Sequence, residues 1–295
     1  MKNDISGCRA MLAMLCLGGV LASPCAYALD TEILANAVQR EAQLLNARVG
    51  MAVIDTLDGR RWNLRGDERF PLNSTHKTFT CAALLHQVDK GVLSLSQVVV
   101  IRPSQRVGYS PVTEKHLPTE SMTLQALCEA AVSFSDNTAA NLVTSVNGGP
   151  SALTTFLRGL GDSSTRLDRL EPELNSAVPN DERDTTTPNA IVDDLKKLLL
   201  GEVLTPKSRA LLEDWMINDK VADALLRAAL PVGWKIADKS GAGGYGSRSI
   251  VAVIWPPHRA PVVVGIYITQ TLVPMTDSNA AIERIGAALV AAIQQ

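Results

Sequence analysis

The sequence predicts an α+β fold: one antiparallel sheet flanked by the chain's terminal helices, with an all-helical lobe beside it. Three patterns carry this expectation. Strand-like segments occur in two places only, Val49 to Leu64 and Ile236 to Gln270. Helical periodicity dominates nearly everything between them, and an amphipathic helix sits at each end. Two β segments so far apart join most economically as one antiparallel sheet, which places a seam between the sheet and the helical lobe.

The chain opens Met1-Lys2-Asn3-Asp4, runs apolar from Met11 to Ala22 and reaches Ala26-Tyr27-Ala28. A charged start, a short apolar core and a small-x-small site describe a secretory signal peptide over residues 1–28. The alternative, a lipid anchor at Cys16 or Cys25, lacks the small residue expected before the cysteine, since Leu15 and Pro24 stand there. The expectation is therefore a secreted, periplasmic protein with no stable membrane anchor. Removing residues 1–28 leaves about 267 residues, one catalytic unit over 29–295, with 29–66 and 218–295 forming the α/β lobe and 67–217 the helical lobe.

Residues 30–46 repeat Ile33, Leu34, Ala37, Val38, Ala42 and Leu45 at helical spacing. Val49 to Thr56 is β-rich, Leu57-Asp58-Gly59 supplies a turn, and Arg60 to Leu64 pairs back as a hairpin. The pattern turns helical from Ser74 to Lys90, where Gly91 stops it. Helices are expected over Thr123 to Phe134, Asn137 to Val146, Ser151 to Leu160, Thr187 to Leu200 and Pro206 to Met216. Asp162 to Thr186 is polar and aperiodic, and a loop that long inside a compact unit is usually functional or disordered. Ile236 to Lys239, Arg248 to Trp255 and Pro261 to Gln270 read as strands. Ser278 to Gln295 closes the chain as a helix.

Composition excludes several classes. A net charge of −2 and a pI near 6.1 leave no basic footprint for nucleic acid. With four histidines and five cysteines, and no His-x-x-x-His or Cys-x-x-Cys spacing, no metal site is expected, and no cofactor. Beyond residue 28 only Cys81 and Cys128 remain. In an exported chain they most simply form one disulfide, worth about 4 kcal/mol by loop closure, the alternative being two buried thiols. A small-molecule substrate and a monomer are the default.

Three short motifs carry chemistry. Ser74-Thr75-His76-Lys77 places a hydroxyl and an amine three residues apart, on one face of a helix start. A lysine held away from full solvation can take the proton of a nucleophilic serine. The spacing alone is weak, since about one such pair arises by chance in a chain of this composition. Ser135-Asp136-Asn137 lies between two helices, where each residue also suits an N-cap. Lys239-Ser240-Gly241 opens a glycine-rich stretch, Ala242-Gly243-Gly244-Tyr245-Gly246, that also reads as a plain turn. In this order, each at the expected seam, the three match Ser-x-x-Lys, Ser-Asp-Asn and Lys-Thr-Gly of class A β-lactamases and penicillin-binding proteins, with Ser240 keeping the hydroxyl of Thr.

The chain resembles a class A serine β-lactamase over essentially its whole length beyond residue 28. The most specific likeness is Arg166-Leu167-Asp168-Arg169-Leu170-Glu171-Pro172-Glu173-Leu174-Asn175, followed by Asn180 to Thr186, which is similar to the family's Ω-loop. Val107 to Leu117 is similar as well. Ala237 to Arg248 looks most like the carbenicillin-hydrolysing branch, although that branch commonly has arginine at the place of Lys239. The resemblance implies the two-lobed β-lactamase/penicillin-binding fold with the active site in the seam. It implies Ser74 as the nucleophile and Lys77 as its bridge to Glu171 and Ser135. Ser135 would relay a proton to the departing nitrogen, and the backbone N–H groups of Ser74 and Ala242 would hold the oxyanion.

Glu171 and Asn175, four residues apart, would direct the deacylating water. Lys239, Ser240 and Arg248 would hold the substrate carboxylate, Asn137 its amide, and Tyr109 would wall the entrance, with Gly241 and Ala242 also among the substrate-binding residues. Asp136 reads as structural, bonding the backbone of its own loop, and an Arg169–Asp184 ion pair would close the Ω-loop. Whether Lys77 or a Glu171-activated water takes the proton in acylation stays open.

Two rivals share the first three motifs: a D-alanyl-D-alanine carboxypeptidase or transpeptidase, and a non-hydrolytic β-lactam sensor. Neither needs the Glu171…Asn175 pair. Relatives that hydrolyse carbapenems often carry a disulfide where Asn73 and Gly243 stand here, which argues against carbapenems, and the carbenicillin-like segment implies penicillins, carboxypenicillins included, as the expected substrates. Extended-spectrum cephalosporin hydrolysis is the alternative.

Overall fold

The computed structural model describes residues 29–116 and 121–294. The expected signal peptide, with Cys8, Cys16 and Cys25, lies outside those residues, as do Leu117 of the Val107 to Leu117 segment and the final residue of the closing helix.

Helix α1 spans Thr31–Leu44, started by the Asp30 carboxylate, which accepts from the Glu32 and Ile33 amides at 3.0 and 3.1 Å. Strands β1 (Arg48–Asp55) and β2 (Arg61–Leu64) form the expected hairpin. A two-residue strand β3 (Phe70–Pro71) leads into a 3-10 turn at Asn73–Thr75 and then α2 (His76–Asp89). The helix expected from Ser74 thus starts two residues late, with Ser74 on the tighter turn that precedes it. Short strands β4 (Val98–Val100) and β5 (Ser121–Thr123) pair ahead of α3 (Leu124–Ser133), α4 (Asn137–Val146) and α5 (Pro150–Gly159). After the long loop, β6 (Thr185–Thr186) pairs with β3 and is followed by α6 (Pro188–Leu199) and α7 (Pro206–Ile217). Both of these helices begin Thr-Pro, with the threonine as N-cap and proline where no N–H is needed. A short α8 (Leu226–Ala229) precedes β7 (Lys235–Ala242), β8 (Arg248–Trp255), β9 (Val262–Thr269) and α9 (Met275–Ile293).

The main sheet runs β2-β1-β9-β8-β7, antiparallel throughout. Alternate residues of β9 feed two different cores. Val262, Val264, Ile266 and Ile268 pack with α1 and α9, while Val263 and Tyr267 face the helical side. Burial on both faces explains why β9 reads as an almost unbroken apolar run. Each such side chain contributes roughly 1.5–3 kcal/mol on burial. Gly265 lets α6 approach: a Cβ there would stand 3.2 Å from both Ile191 and Val192. On the outer face Arg284 of α9 bonds Glu41 of α1 at 2.7 and 2.9 Å. Cys81 of α2 and Cys128 of α3 form a disulfide inside the helical core. Among the described residues no helix is long and apolar enough to cross a membrane.

Candidate active site

The 3-10 turn carries Ser74 to the floor of a cleft of about 400 Å³ between the sheet and the helices. Tyr109, Ser135, Asn137, Asn175, Ser240, Gly241, Ala242 and Arg248 line the same cleft, together with Val221, Met275 and Asn279. Eight stretches of chain supply these residues: the Ser74 turn, the segments at Tyr109, Ser135–Asn137, Asn175 and Val221, strands β7 and β8, and helix α9. Strand β7 passes close to the Ser74 turn because residue 241 is glycine, where a Cβ would lie 2.8 Å from the Ser249 hydroxyl and 3.0 Å from the Ser74 nitrogen.

Lys77, Glu171 and Lys239 are absent from the cleft wall but lie buried directly beneath it. The Lys77 ammonium donates to the Ser135 carbonyl at 2.8 Å and to Asn137 Oδ1 at 2.5 Å, with the Ser135 hydroxyl at 3.4 Å and Glu171 Oε1 at 3.1 Å. Among the described residues it makes no hydrogen bond to Ser74. The expected bridge is therefore present on the Glu171 and Ser135 side, with Asn137 in addition, and open on the serine side. Burial brings Lys77 down to about 8 even with the Glu171 carboxylate beside it.

Burial by itself would raise Glu171, but the Lys77 charge and the His76 contact outweigh it and hold the carboxyl at about 2. Its two oxygens have different partners: Oε1 faces Lys77 and His76, while Oε2 accepts from the Asn175 amide. Asn175 Oδ1, also buried, has no hydrogen-bond partner among the described residues. The Glu171 backbone is fixed by Asn141, whose amide accepts from Glu171 N and donates to Glu171 O, each at 2.8 Å.

Asp136 does more than bond its own loop. One oxygen caps α4 through Ala139 N at 2.8 Å, while the other accepts from Val112 and Thr113 of the facing loop at 3.0 and 2.8 Å. That stitch holds Tyr109, whose carbonyl accepts from Asn137 N at 3.0 Å. The Asn137 amide donates to the Gly108 carbonyl at 2.8 Å.

Arg169 and Asp184 form the expected ion pair at 2.6 Å, and the second Asp184 oxygen accepts from the Asp168 and Arg169 amides at 2.7 and 2.9 Å. Lys239 is fully buried, 3.6 Å from Asp219, and among the described residues its nitrogen has no hydrogen-bond partner. Arg248 reaches the cleft from β8, held by Asn279 Oδ1 at 2.7 Å and the Gly241 carbonyl at 3.0 Å. Burial, partly offset by Asp219, lowers it to about 10.

His76, Asn141, Asp219 and Asn279 take part without having been foreseen. Only His76 offered a local signal, a buried imidazole next to the motif lysine. The others meet their partners across 20 or more residues of chain.

The protein matches the β-lactamase enzyme family over residues 32–293. It is 60% identical over 263 residues to β-lactamase AER-1 of Aeromonas hydrophila, covering 89% of this chain and 86% of that one. It is 49% identical over 242 residues to β-lactamase PSE-1 of Pseudomonas aeruginosa, covering 82% and 84%. An ancestral class A β-lactamase structure superposes with a TM-score of 0.85 at 50% identity, covering 89% of this chain and 99% of its own. The chromosome-encoded β-lactamase of Vibrio parahaemolyticus gives 0.85 at 46%, covering 88% and 98%. The chain belongs to the class A serine β-lactamases and hydrolyses β-lactams through a serine acyl-enzyme.

Proposed function

We propose that Ser74 attacks the β-lactam carbonyl and that Glu171 with Asn175 directs the water that frees the acyl-enzyme. The Ser74 oxygen bonds to the carbonyl carbon as its proton is withdrawn, and the backbone N–H groups of Ser74 and Ala242 carry the oxyanion, each donor worth about 3 kcal/mol. The C–N bond then breaks and Ser135 passes a proton to the ring nitrogen, with Lys77 beside it. In the second half Glu171 takes a proton from water, the hydroxide attacks the ester carbonyl, and the Ser74 oxygen leaves with a proton. Lys239, Ser240 and Arg248 bind the substrate carboxylate, Asn137 its side-chain amide, and Tyr109 closes the mouth.

The observation that carries this reading is the split carboxylate of Glu171. One oxygen is tied to cationic and N–H donors, the other to Asn175, so the group is ionised and aimed. At neutral pH a Glu171 near 2 is a carboxylate, whereas a Lys77 near 8 is neutral in only about a tenth of molecules. This favours Glu171 and its water as the resting-state base. It also disfavours a carboxypeptidase or a sensor, which needs no second base.

The preferred substrates are penicillins, carboxypenicillins included, a reading supported by the carbenicillin-branch likeness of Ala237 to Arg248. Family membership suggests a periplasmic enzyme. Export through a signal peptide cut after Ala28, a monomeric state and the lobe bounds 29–66 with 218–295 against 67–217 complete the proposal. Sustained turnover of a chromogenic cephalosporin by wild type, with one acyl group retained on Ser74 in Glu171→Gln, is the expected result. Unimpaired turnover in Glu171→Gln would remove Glu171 from its role. A higher kcat/KM for cefotaxime than for carbenicillin would overturn the spectrum.

A further inference from the structure

We propose that His76 is a positioning residue for Glu171, donating Nε2–H to Oε1 and so fixing the carboxylate independently of Lys77. The inference rests on Glu171 being the deacylation base.

Three observations lead to it. His76 is 1% exposed at the start of α2, and its Nε2 lies 3.4 Å from Glu171 Oε1, with Nδ1 3.1 Å from the Thr80 hydroxyl. A carboxylate oxygen can only accept, so the proton of that contact sits on Nε2. The neutral ring then accepts at Nδ1 from the Thr80 O–H, and a one-way chain runs Thr80, His76, Glu171. The charged groups facing the ring are Glu171, Lys77 and Asp184. Burial depresses the imidazolium despite the two carboxylates, which keeps the ring neutral.

The second observation concerns Lys77. Its ammonium has three protons and four oxygen neighbours within 3.4 Å: the Ser135 carbonyl and hydroxyl, Asn137 Oδ1 and Glu171 Oε1. Glu171 must share that donor with three competitors, and loses the charge altogether as Lys77 titrates near 8. The imidazole has no competing acceptor at Nε2 among the described residues. The third observation is directional: both donors converge on Oε1, which turns Oε2 toward Asn175. A carboxylate held by one rotatable ammonium could swing, whereas a second donor on a ring fixed at both nitrogens defines its plane.

The experiment compares the mature wild type with His76→Phe, which keeps the bulk, and His76→Gln, whose amide restores a donor near Nε2. Acyl-enzyme is followed by rapid-quench mass spectrometry with a penicillin from pH 3 to 9, and the histidine tautomer in wild type by nitrogen-15 NMR. The deacylation rate of His76→Phe is expected to fall about tenfold, the loss of one long charge-assisted bond. Acyl-enzyme should accumulate, kcat and KM should fall together, and the acid limb should rise toward an ordinary glutamate near pH 4. His76→Gln should recover most of the rate. Deacylation unchanged in His76→Phe overturns the proposal, as does an equal loss in both variants with no movement of the acid limb. So does an Nδ1–H tautomer in wild type, a readout that holds even if His76→Phe does not fold. Glu171→Gln run in parallel separates the two readings: if it stalls while His76→Phe does not, only the role of His76 falls. If Glu171→Gln turns over normally, both fall.

Discussion

Replacing Asp194 by asparagine should stabilise this enzyme, by an amount that grows with pH. Asp194 lies on α6, fully buried, with neither carboxylate oxygen hydrogen-bonded to a donor among the described residues. Its neighbour is Asp162, at the start of the long polar loop, which accepts from the Ser164 and Thr165 amides at 2.7 and 3.0 Å. The Lys197 ammonium stands 3.9 Å away but donates to the Leu160 carbonyl, and Asp193 pairs outward with Arg61. Burial, reinforced by the Asp162 charge, pushes Asp194 from 3.8 up to about 9, while the Ser164, Thr165 and Asp194 contacts keep Asp162 low against its own burial. The pair therefore holds one proton, on Asp194.

Because the folded pKa lies above the unfolded one, the native state binds the extra proton between them, and stability is lost as pH rises through that window. The slope is about 1.4 kcal/mol per pH unit and depends on the proton count, not on where in the alkaline range the folded pKa sits. Asparagine does not titrate, and its N–H can replace the shared proton toward Asp162. The gap between variant and wild type should widen by about 2.7 kcal/mol from pH 5 to pH 7. That is about 5–10 °C in Tm for a chain of this size. Thermal unfolding of both proteins at pH 5, 6 and 7 measures it, and the Lys77–Glu171 pair, common to both, cancels in the difference. A gap that stays constant with pH, or a variant less stable throughout, refutes the shared-proton argument.

Asp184→Asn swaps one acceptor for a donor in a buried group that serves Arg169 and two backbone amides, a loss of about 1–3 kcal/mol of local loop stability. Hydrogen exchange over residues 164–184 should quicken and deacylation slow; unchanged values of both would count against the clasp. Replacing Cys81 and Cys128 by serine removes a link spanning 47 residues and should lower unfolding stability by up to about 4 kcal/mol. Equal denaturant midpoints for the disulfide form and the double variant would show that the link contributes nothing.

What the sequence made legible and what it hid have physical causes. The strands of the main sheet and the long helices were readable because burial on fixed faces imposes a period on the side chains, although β7 continues to Ala242, past the Lys239 where the expected strand ended, because its small residues there carry no period. The three motifs and the Glu171…Asn175 pair were readable because each is local. The hidden features are those enforced from a distance. Asn73, Tyr109, Ser135 and Asp184 all have positive φ, between 45° and 58°. Nothing in a tyrosine or a serine announces that conformation; Asn137 N bonding the Tyr109 carbonyl, and the Asp168 carboxylate bonding Asp184 N, impose it. Strands β3 to β6 are two or three residues long and carry no period at all. The contact of His76 with Glu171 spans 95 residues, which no pattern along the chain encodes. The start of α9 at Met275, not Ser278, follows Pro274, whose extended ψ of 150° turns the chain into the helix.

Lys77 and Lys239 are equally inaccessible, yet their surroundings differ in kind. Lys77 is surrounded by four oxygens and balanced by Glu171 at 3.1 Å, so its charge is spent on holding the proposed base. Among the described residues Lys239 has one carboxylate at 3.6 Å, itself with an unbonded oxygen, and no hydrogen-bonded partner. An ammonium left without hydrogen bonds away from water is costly, typically several kcal/mol, unless a further anion offsets it. Arg248, with its Nε and one Nη already committed, stands over the same end of the cleft. The proposed division of labour follows from that contrast: the satisfied lysine belongs to the enzyme's own proton chemistry, and the unsatisfied one leaves attraction available for the carboxylate that a β-lactam brings.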